Sequence, residues 1–511
     1  MVTSPHPLAS EAGLQVLADG GNAIEAAIAM AAVLCVVCPH FTGLGGDAFW
    51  LIAEPHAPVR AISGIGQAAA TLPPQHGPIA LRGGASAMTT AAAVDSWAQA
   101  LQISAHDWQG RQRWDTLLAR AIEHAHAGVE VSASLRFWLA MREAESGRWP
   151  GFDAAFPRDA RLWPQPALAR TLERLAAQGP REFYEGDVAR RLVTGLQAAG
   201  SPLTLEDLRR TSAREVAPLA MPYRGGTLLT LPPPTQGFAT LEAMGILGEQ
   251  DLGAVPEGSA EHFHRMVEAI KLAFIDRDRY LADPDFSDVP VDRLLDPAHI
   301  RSQARRAQQS PRALAWPQTF RHGDTVFFAA ADASGRGASV LQSIYYDWGS
   351  GVVAGDTGVL WHNRAAAFHP DPSHPNGLRG GKRPFHTLNP AVFIRDGRPE
   401  LLLGTQGADG QPQTLVALLT RLIDYGLDPA QALARPRFLL GRTFSDSRDS
   451  LKLEEDVGAE VLASLHARGH EIATIPAHSP LAGLPGVIRL DPDGRLSGAH
   501  DPRGDGVALG L

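Results

Sequence analysis

The sequence predicts an α+β protein in which helices and antiparallel sheets form separate layers. Two observations lead to this prediction. Helix-forming segments dominate roughly residues 105–320, whereas hairpin patterns dominate the chain after about residue 322. Strands and helices do not alternate one by one, as they would in a parallel sheet built from βαβ units, so a doubly wound fold is disfavoured.

The first elements are a buried helix and a strand. "GGNAIEAAIAMAAVLCVVC" has Asn22 as its N-cap and too few polar residues for a surface helix. "HFTGLGGDAFWLIAE" predicts a glycine-rich turn that enters a strand. "RWDTLLARAIEHAHAG" and "HRMVEAIKLAFIDRDRYLADP" predict helices in the middle of the chain. The histidines of "HFH", at 262–264, precede the second of these helices, and we expect them at the surface.

Three hairpins are predicted in the last third. The first joins "TVFFAAAD" to "ASVLQSIYYDW", the second is "HTLNPAVFIRDGRPELLLG", and the third is "PGVIRLDPDGRLSGAHDPR". The second hairpin turns at Asp396-Gly397, because both residues tolerate the backbone of a tight turn. "QPQTLVALLTRLIDYG" and "GAEVLASLHARGHE" predict helices between the hairpins.

Composition excludes several function classes. The 511 residues are 44% hydrophobic and carry a net charge of −9 without a basic run, so we expect no nucleic-acid partner. The longest apolar run, Ala26 to Cys38, has 13 residues, and a membrane-spanning helix needs about 20. Cys35 and Cys38 are predicted to be buried thiols. No signal-type segment is recognised at the start, so we expect a cytoplasmic protein.

Common catalytic motifs are missing from the sequence. There is no GxSxG elbow, no HExxH and no Walker A sequence, and "GLGGD" at 43–47 lacks the spacing of a dinucleotide-binding loop. The histidines show no zinc spacing. We therefore expect neither a metal nor a cofactor.

Thr325, in "GDTVFFAAAD", stands between a Gly-Asp turn and an apolar strand. A threonine hydroxyl is a poor nucleophile without a base. Cleavage of the chain just before the threonine would supply one, because the freed α-amine, with an ordinary pKa near 8, can take the proton from its own hydroxyl. On its own this pattern is equally that of a β-branched residue that begins a strand.

The surrounding segments resemble the γ-glutamyltransferase family of N-terminal nucleophile hydrolases over essentially the whole chain. The segments that carry the resemblance are "GGNAIEAAIAMAAV", "PHFTGLGGDAFWL", "REFYEGDVARRL", "YRGGTLLTLPPPTQG", "VEAIKLAFIDRDRYLADP", "DTVFFAAAD", "GSGVVAGDTGVLWHN", "KRPFHTLNP", "DYGLDPAQALARPRF" and "LSGAHDPR".

The resemblance implies a four-layer αββα sandwich that is made as one precursor. The precursor would cleave itself between Asp324 and Thr325 into a large subunit, 1–324, and a small subunit, 325–511, which form a heterodimer or a dimer of heterodimers. Thr325 would be the nucleophile of both self-cleavage and catalysis. Ser343 stands where the family has a threonine that hydrogen-bonds the nucleophile, and Gly407 and Ala408 stand at the Gly-Gly pair of the oxyanion hole.

The chain departs from the family's γ-glutamyl pattern at the substrate site. The family's serine pair, which binds an α-carboxylate, matches His386 and Thr387, and its amine-binding aspartate matches Ala367. The family's arginine falls near Leu72. In their place Arg364, His386 and Thr387 could bind a carboxylate without an α-amine. "WHNR" and "KRPFHTLNP" look similar to the oxamate amidohydrolase-like branch, which hydrolyses oxamate to oxalate and ammonia.

Three functional hypotheses follow. The first is a self-cleaved amidohydrolase for a small amide with a carboxylate. The second is a γ-glutamyl hydrolase or transferase, or an acylase for bulkier amides such as glutaryl compounds; the change to Ala367 disfavours its glutamyl form. The third is an uncleaved binding protein of the same family, which the presence of Thr325 and Ser343 disfavours.

Overall fold

Two antiparallel sheets lie face to face at the centre of the protein, with helices on both outer sides. The computed structural model describes residues 1–74, 77–156, 160–309, 312–315, 323–442 and 448–511. The strands are β1 (Val2–Ser4), β2 (Asp47–Ala53), β3 (Arg60–Gly64), β4 (Val129–Glu130), β5 (Leu162–Trp163), β6 (Arg214–Val216), β7 (Leu219–Tyr223), β8 (Gly226–Thr230), β9 (Asp324–Ala331), β10 (Gly337–Tyr345), β11 (Ala391–Arg395), β12 (Arg398–Thr405), β13 (Phe438–Gly441), β14 (Ser450–Glu454), β15 (Ile472–Ile475), β16 (Pro485–Leu490), β17 (Leu496–His500) and β18 (Val507–Leu509).

The helices lie between these strands along the chain. They are α1 (Pro7–Ala18), α2 (Ala23–Val37), α3 (Ala93–Asp107), α4 (Trp114–Ala127), α5 (Ala133–Met141), α6 (Glu143–Ser146), α7 (Phe152–Ala155), α8 (Pro166–Gln178), α9 (Asp187–Ala198), α10 (Leu205–Arg209), α11 (Gly237–Gly248), α12 (Ala260–Tyr280), α13 (Val291–Leu294), α14 (Pro297–Gln308), α15 (Gln411–Leu419), α16 (Pro429–Ala434) and α17 (Ala459–Ala467).

The first large sheet has the strand order β18-β1-β9-β10-β2-β3-β6, and the second has the order β17-β16-β12-β11-β8-β7. All neighbouring strands in both sheets are antiparallel. A smaller sheet, β13-β14-β15, and the pair β4-β5 lie outside this core. Each large sheet therefore mixes strands from before and after residue 324.

The alternation of side chains along β9 shows how the layers are built. Phe327 belongs to the apolar core between the two sheets, together with Leu402 of β12, whereas the next residue, Phe328, belongs to the core under α2. On the far side, Phe393 of β11 packs in the core formed with α11, α12 and α15. This alternation is expected because successive side chains of a strand point to opposite faces. The result is the four-layer αββα sandwich that the resemblance implies.

Several local predictions are confirmed. Asn22 is the N-cap of α2, where its side chain accepts from the backbone of Glu25 and the Glu25 side chain accepts in return. All three hairpins form, and Asp396 and Gly397 turn the second one with φ of 52° and 73°. Cys35 and Cys38 are buried, and burial raises the pKa of the Cys38 thiol to about 12.

One local prediction is wrong. His262 and His264 lie in the first turn of α12 and are 0% and 5% exposed, not at the surface. Both imidazoles are bonded inside the protein, His262 to Thr420 and His264 to His470.

Among the described residues, no helix is long and apolar enough to span a bilayer.

Candidate active site

Thr325 is the second residue of β9 and is 1% exposed. Its hydroxyl accepts a hydrogen bond of 3.4 Å from the side-chain amide of Gln411. Gln411 is the first residue of α15, and its amide oxygen accepts in turn from the backbone N–H of Asn389 at 3.2 Å. The threonine therefore lies where a strand of one sheet meets a helix that covers the other.

Ser343 contacts the peptide bond that precedes Thr325. Its hydroxyl donates to the carbonyl oxygen of Asp324 at 2.5 Å and accepts from the backbone N–H of Tyr345 at 2.7 Å. The register of β9 against β10 shifts between Gln342 and Tyr345, which brings the serine to that carbonyl. Ser343 thus contacts the peptide bond between Asp324 and Thr325, which is the bond that would be cut.

Gly407 and Ala408 form the turn between β12 and α15, with φ of 120° and 45°. The turn closes through the Gly410 N–H, which donates to the Gly407 carbonyl at 2.6 Å. It faces Gly323, where a Cβ would lie 3.1 Å from the Ala408 methyl and 3.2 Å from the Tyr345 ring. The structure thus brings the predicted oxyanion pair to within van der Waals distance of the segment that leads into Asp324.

Gln236 joins the Ala408 turn to the segment that holds His386 and Thr387. Its side-chain amide donates to the carbonyls of Ala408 and Thr387, both at 2.8 Å. Its amide oxygen accepts from Arg277 at 2.9 Å, and the same guanidinium bonds Asp409 at 3.1 Å. These buried bonds connect the Ala408 turn to Thr387.

Asp47 is a fully buried carboxylate beneath the site. It lies directly opposite Ser343 in the register of β2 against β10. One oxygen accepts from the backbone N–H groups of Gly66 and Ala92, and the other lies 3.3 Å from Nε2 of His386. Burial alone would raise the pKa of Asp47, but the contacts with the imidazoles outweigh burial and hold that pKa below its usual range.

His386 is engaged within the protein through both ring nitrogens. Nε2 faces Asp47, and Nδ1 accepts from the backbone N–H of Leu388 at 3.4 Å. Burial, together with the charge of Arg364, lowers the pKa of His386 to about 3, so the ring is neutral. In this arrangement His386 supports Asp47, and the neighbouring Thr387, also buried, is the hydroxyl of the predicted pair.

Arg364 is a buried cation of this site. It is 1% exposed, and none of its three guanidinium nitrogens has a hydrogen-bond partner in the described part of the chain. The guanidinium carbon lies 3.8 Å from the centre of the Tyr345 ring. Burial lowers the pKa of Arg364 to about 10, which leaves it cationic at neutral pH. A buried charge without a partner is costly, so the position suits an anionic ligand.

A charged cluster surrounds the Asp324 side chain. Asp347 receives two hydrogen bonds from Arg142, of 2.6 and 2.7 Å, and a contact of 3.2 Å from Arg82. Asp324 has no such donor on Oδ2 among the described residues. Burial, with the nearby charge of Asp347, raises the pKa of Asp324 well above its usual range.

A cavity of about 600 Å³ opens against Gly323, Asp324 and the Gly407-Ala408 turn. Its walls are mainly apolar and include Phe41, Phe137, Trp138, Leu439 and Leu484. The cavity therefore reaches the site at the segment that precedes Thr325 and at the Gly407-Ala408 turn, while Thr325 and Arg364 themselves are not among its lining residues.

The family model described as Gamma-glutamyltranspeptidase matches residues 9–511. The chain belongs to the γ-glutamyltranspeptidase family. The predicted N-terminal nucleophile amidohydrolase class and the αββα fold are thereby confirmed.

Individual relatives cover the whole chain. The chain is 43% identical to the oxamate amidohydrolase proenzyme of Klebsiella pneumoniae subsp. pneumoniae, over 100% of this chain and 98% of that protein. It is 38% identical to the glutathione hydrolase-like YwrD proenzyme of Bacillus subtilis, with the same coverage. The structure of a cephalosporin acylase from Bacillus halodurans superposes with a TM-score of 0.90 at 30% identity, over 99% of this chain and 94% of that one.

Sequence reasoning missed four polar residues of this family site: Asp47, Gln236, Arg277 and Gln411. Each lies within a segment that carries the family resemblance or in the "GADGQPQT" segment, but none has a local pattern that indicates chemistry. Their roles depend on contacts between residues distant in sequence, such as Gln236 to Ala408, 172 positions apart. A polar residue inside an otherwise buried stretch, as in "GLGGDAFWL", was the available signal.

We predict that Asp324 makes the stability of the uncleaved chain dependent on pH. The pKa of Asp324 is raised in the folded chain, so folding takes up a proton. The stability that the protonated carboxyl contributes is therefore fully present below the unfolded pKa of about 3.9 and is lost as pH rises. In a Thr325→Ala background, Asp324→Asn should therefore flatten the fall of the thermal midpoint between pH 5 and pH 8. The two midpoints are compared by calorimetry; parallel pH curves would show that Asp324 is ionised in the folded chain.

Proposed function

We propose that this chain is a proenzyme that cuts its own peptide bond between Asp324 and Thr325, after which Thr325 hydrolyses a small amide that bears a carboxylate. The best candidate substrate is oxamate, which would give oxalate and ammonia. The observation that carries this proposal is the buried guanidinium of Arg364 without a hydrogen-bond partner among the described residues. The name of the Klebsiella pneumoniae relative supports the same substrate.

Self-cleavage would start with attack of the Thr325 hydroxyl on the carbonyl carbon of Asp324. The C–N bond breaks, the hydroxyl proton passes to the amide nitrogen, and Asp324 remains as an ester on Oγ1. Water then hydrolyses this ester and restores the hydroxyl beside a new α-amine. The hydrogen bond from Ser343 to the Asp324 carbonyl supports this route, because a donor at that oxygen stabilises the negative charge that attack creates.

The strand arrangement supports a stable heterodimer of 1–324 and 325–511 after the cut. In the first sheet β9 is flanked by β1, and β10 pairs with β2 over seven residues from Gly337 to Ser343. In the second sheet β11 pairs with β8. Because both sheets contain strands from each side of the cut, separation of the two chains would expose the apolar faces of both sheets to water.

Amide hydrolysis would use the new α-amine of Thr325 as the base. The amine takes the proton of its own hydroxyl, and Oγ1 attacks the substrate carbonyl. The backbone N–H groups of Gly407 and Ala408 would bind the oxyanion, a role that needs no side chain. The proton passes to the leaving nitrogen, which departs as ammonia, and water hydrolyses the acyl-enzyme.

Arg364 would bind the carboxylate of the substrate. The guanidinium offers two parallel N–H groups to a carboxylate, and Tyr345 holds its plane by stacking. Tyr345 lies opposite Asp324 in the strand register, so the cation is close to the bond that is attacked. Thr387 would add a hydroxyl donor, while His386 would act through Asp47.

A γ-glutamyl amide is disfavoured as the substrate. Ala367 stands on the same short helical turn as Arg364, in the position where the family has an amine-binding aspartate. With a methyl group there, an α-ammonium would find a cation and no carboxylate on this turn. The glutathione hydrolase-like name of the Bacillus subtilis relative keeps this alternative worth testing.

A bulkier acyl group is a second candidate, because the cavity of about 600 Å³ is far larger than oxamate requires. Its lining includes Gly323 and Asp324, which form the acyl side of the bond cut in the precursor. A glutaryl amide could extend into it. The structural similarity to a cephalosporin acylase supports this possibility.

For self-cleavage, we predict that Thr325→Ala remains a single chain of 54.5 kDa and hydrolyses no amide. Ser343→Ala should slow cleavage by about 10²-fold, the typical cost of losing one oxyanion donor. Ser339→Ala is the matched control, because it removes a buried hydroxyl from the same strand whose hydrogen bond, among the described residues, goes to the carbonyl of Leu403. Denaturing gels over time measure cleavage. Two fragments from Thr325→Ala would disprove the assignment.

For substrate recognition, we predict that Arg364→Ala lowers kcat/KM for oxamate by about 10²-fold or more, since each charge-assisted hydrogen bond contributes about 1.5–3 kcal/mol. Oxamide, which replaces the carboxylate by an uncharged amide of the same size, should be hardly affected. Ammonia release measures both, and Arg364→Lys should restore part of the oxamate activity. Equal losses for the two substrates would show that Arg364 is not the carboxylate ligand.

For the cavity, we predict that Ala133→Trp, which fills it from the first residue of α5, lowers activity on a glutaryl amide at least about tenfold through steric exclusion. Oxamate turnover serves as the internal control and should be unchanged. If the parent chain does not hydrolyse glutaryl amides, or if both activities fall together, the cavity is not an acyl-group subsite.

A further inference from the structure

A second cluster of polar side chains lies on the outer helical layer, among α11, α12 and α14. Glu242, Asp276 and His299 come from these three helices in that order. The Nε2 atom of His299 lies 3.1 Å from Oε1 of Glu242 and 3.1 Å from Oδ2 of Asp276. The three ligand atoms lie within 4.8 Å of one another.

The hydrogen bonds of this cluster are incomplete. A single imidazole nitrogen faces two carboxylates and carries at most one proton. Glu242 is fully buried, and its second oxygen, Oε2, has no hydrogen-bond donor among the described residues. A buried carboxylate oxygen without a donor is costly, and a cation at the centre would satisfy it.

The other candidate cluster in the described chain is already neutralised. There Glu268 accepts from the ammonium of Lys271 at 2.8 Å and from the backbone N–H of Leu314 at 2.8 Å, beside His264 and His470. A built-in ammonium removes the reason for a metal ion. In the described part of the chain, neither Glu242 nor Asp276 forms an ion pair with a lysine or arginine, and both pair with His299.

The geometry of the outer cluster fits a small divalent cation. Bonds of about 2.0–2.1 Å from a metal to imidazole and carboxylate ligands in a tetrahedron give ligand separations near 3.3 Å. The imidazole nitrogen of His299 lies 3.1 Å from each of the two carboxylate oxygens. Gln303, one turn after His299, donates through Nε2 to Oδ2 of Asp276 at 3.3 Å; with its amide turned over, it would offer its oxygen as a fourth ligand. The side chains of Asp276 and His299 are 13% and 26% exposed, so an ion can enter from solvent.

We propose that Glu242, Asp276 and His299 bind one divalent transition-metal ion of the Zn²⁺ type, with Gln303 or water as the fourth ligand. The site would clamp three helices of the outer layer. Asp276 neighbours Arg277, which bonds Gln236, and α11 begins directly after Gln236. The ion would therefore stabilise the elements that carry the buried hydrogen bonds of the amidase site, without contacting substrate.

The test is binding of Zn²⁺ to the full, untagged chain after removal of metals with a chelator. Titration calorimetry should give one ion per chain, and Co²⁺ in place of Zn²⁺ should give visible absorption bands of a four-coordinate site. Zn²⁺ should also raise the thermal midpoint, because a ligand of the folded state stabilises it. His299→Ala and Glu242→Gln should weaken binding by about 100-fold or more, given that lost outer-sphere partners alone cost 10- to 100-fold.

Two histidine variants serve as controls. His126→Ala removes an exposed histidine that pairs with one carboxylate, Glu173, and His470→Ala disrupts the neutralised cluster. Both should bind Zn²⁺ like the parent chain. The proposal is overturned if the parent chain binds no Zn²⁺, if His299→Ala and Glu242→Gln bind as tightly as the parent, or if only His470→Ala loses the ion. Glu242→Gln keeps the shape of the side chain, so it still tests the site if His299→Ala fails to fold.

Discussion

The register of β9 against β10 is the constraint on which the active site depends. Ordinary pairing runs from Gly337 to Gln342, and the shift that follows brings the Ser343 hydroxyl onto the carbonyl of Asp324. A slip by one residue would turn Thr325 to the opposite face of the sheet. A one-residue slip is disfavoured because it would exchange the residues that face the two cores, which Phe327 and Phe328 now fill on opposite faces of the sheet.

The same strands carry the electrostatics of the site. Asp47, opposite Ser343, is an anion with donors on both oxygens, whereas Arg364 is a cation with no donated bond among the described residues. The neutral ring of His386 lies against the anion, and burial keeps it neutral. Asp47 is thus satisfied within the protein, whereas Arg364 has no hydrogen-bond partner among the described residues, an arrangement that suits an anionic ligand.

Elements with local causes were predictable from the sequence. The Asn22 cap, the Asp396-Gly397 turn and the three hairpins follow from residue chemistry over a few positions. The histidines at 262 and 264 were placed wrongly because polarity suggested the surface, while Thr420 and His470 supply buried partners from more than 150 positions away. The role of Gln236 was not predicted for the same reason, because nothing near it in sequence shows that it bridges Thr387 and Ala408.

The substitutions around Arg364 are best understood as one coupled change of charge. Relative to the family pattern, the turn at 364–367 carries an arginine at its first position and has Ala367 in place of a carboxylate at its last. Leu72, near which the family's own arginine falls, packs against the apolar cluster that contains Ala365. The turn at 364–367 therefore offers a cation and no carboxylate. The α-ammonium of an amino-acid ligand would have no carboxylate partner on this turn. A ligand with a carboxylate alone needs no such partner. Because a buried charge is tolerated only with its counter-ion, we expect the two positions to restrict the substrate together and not separately.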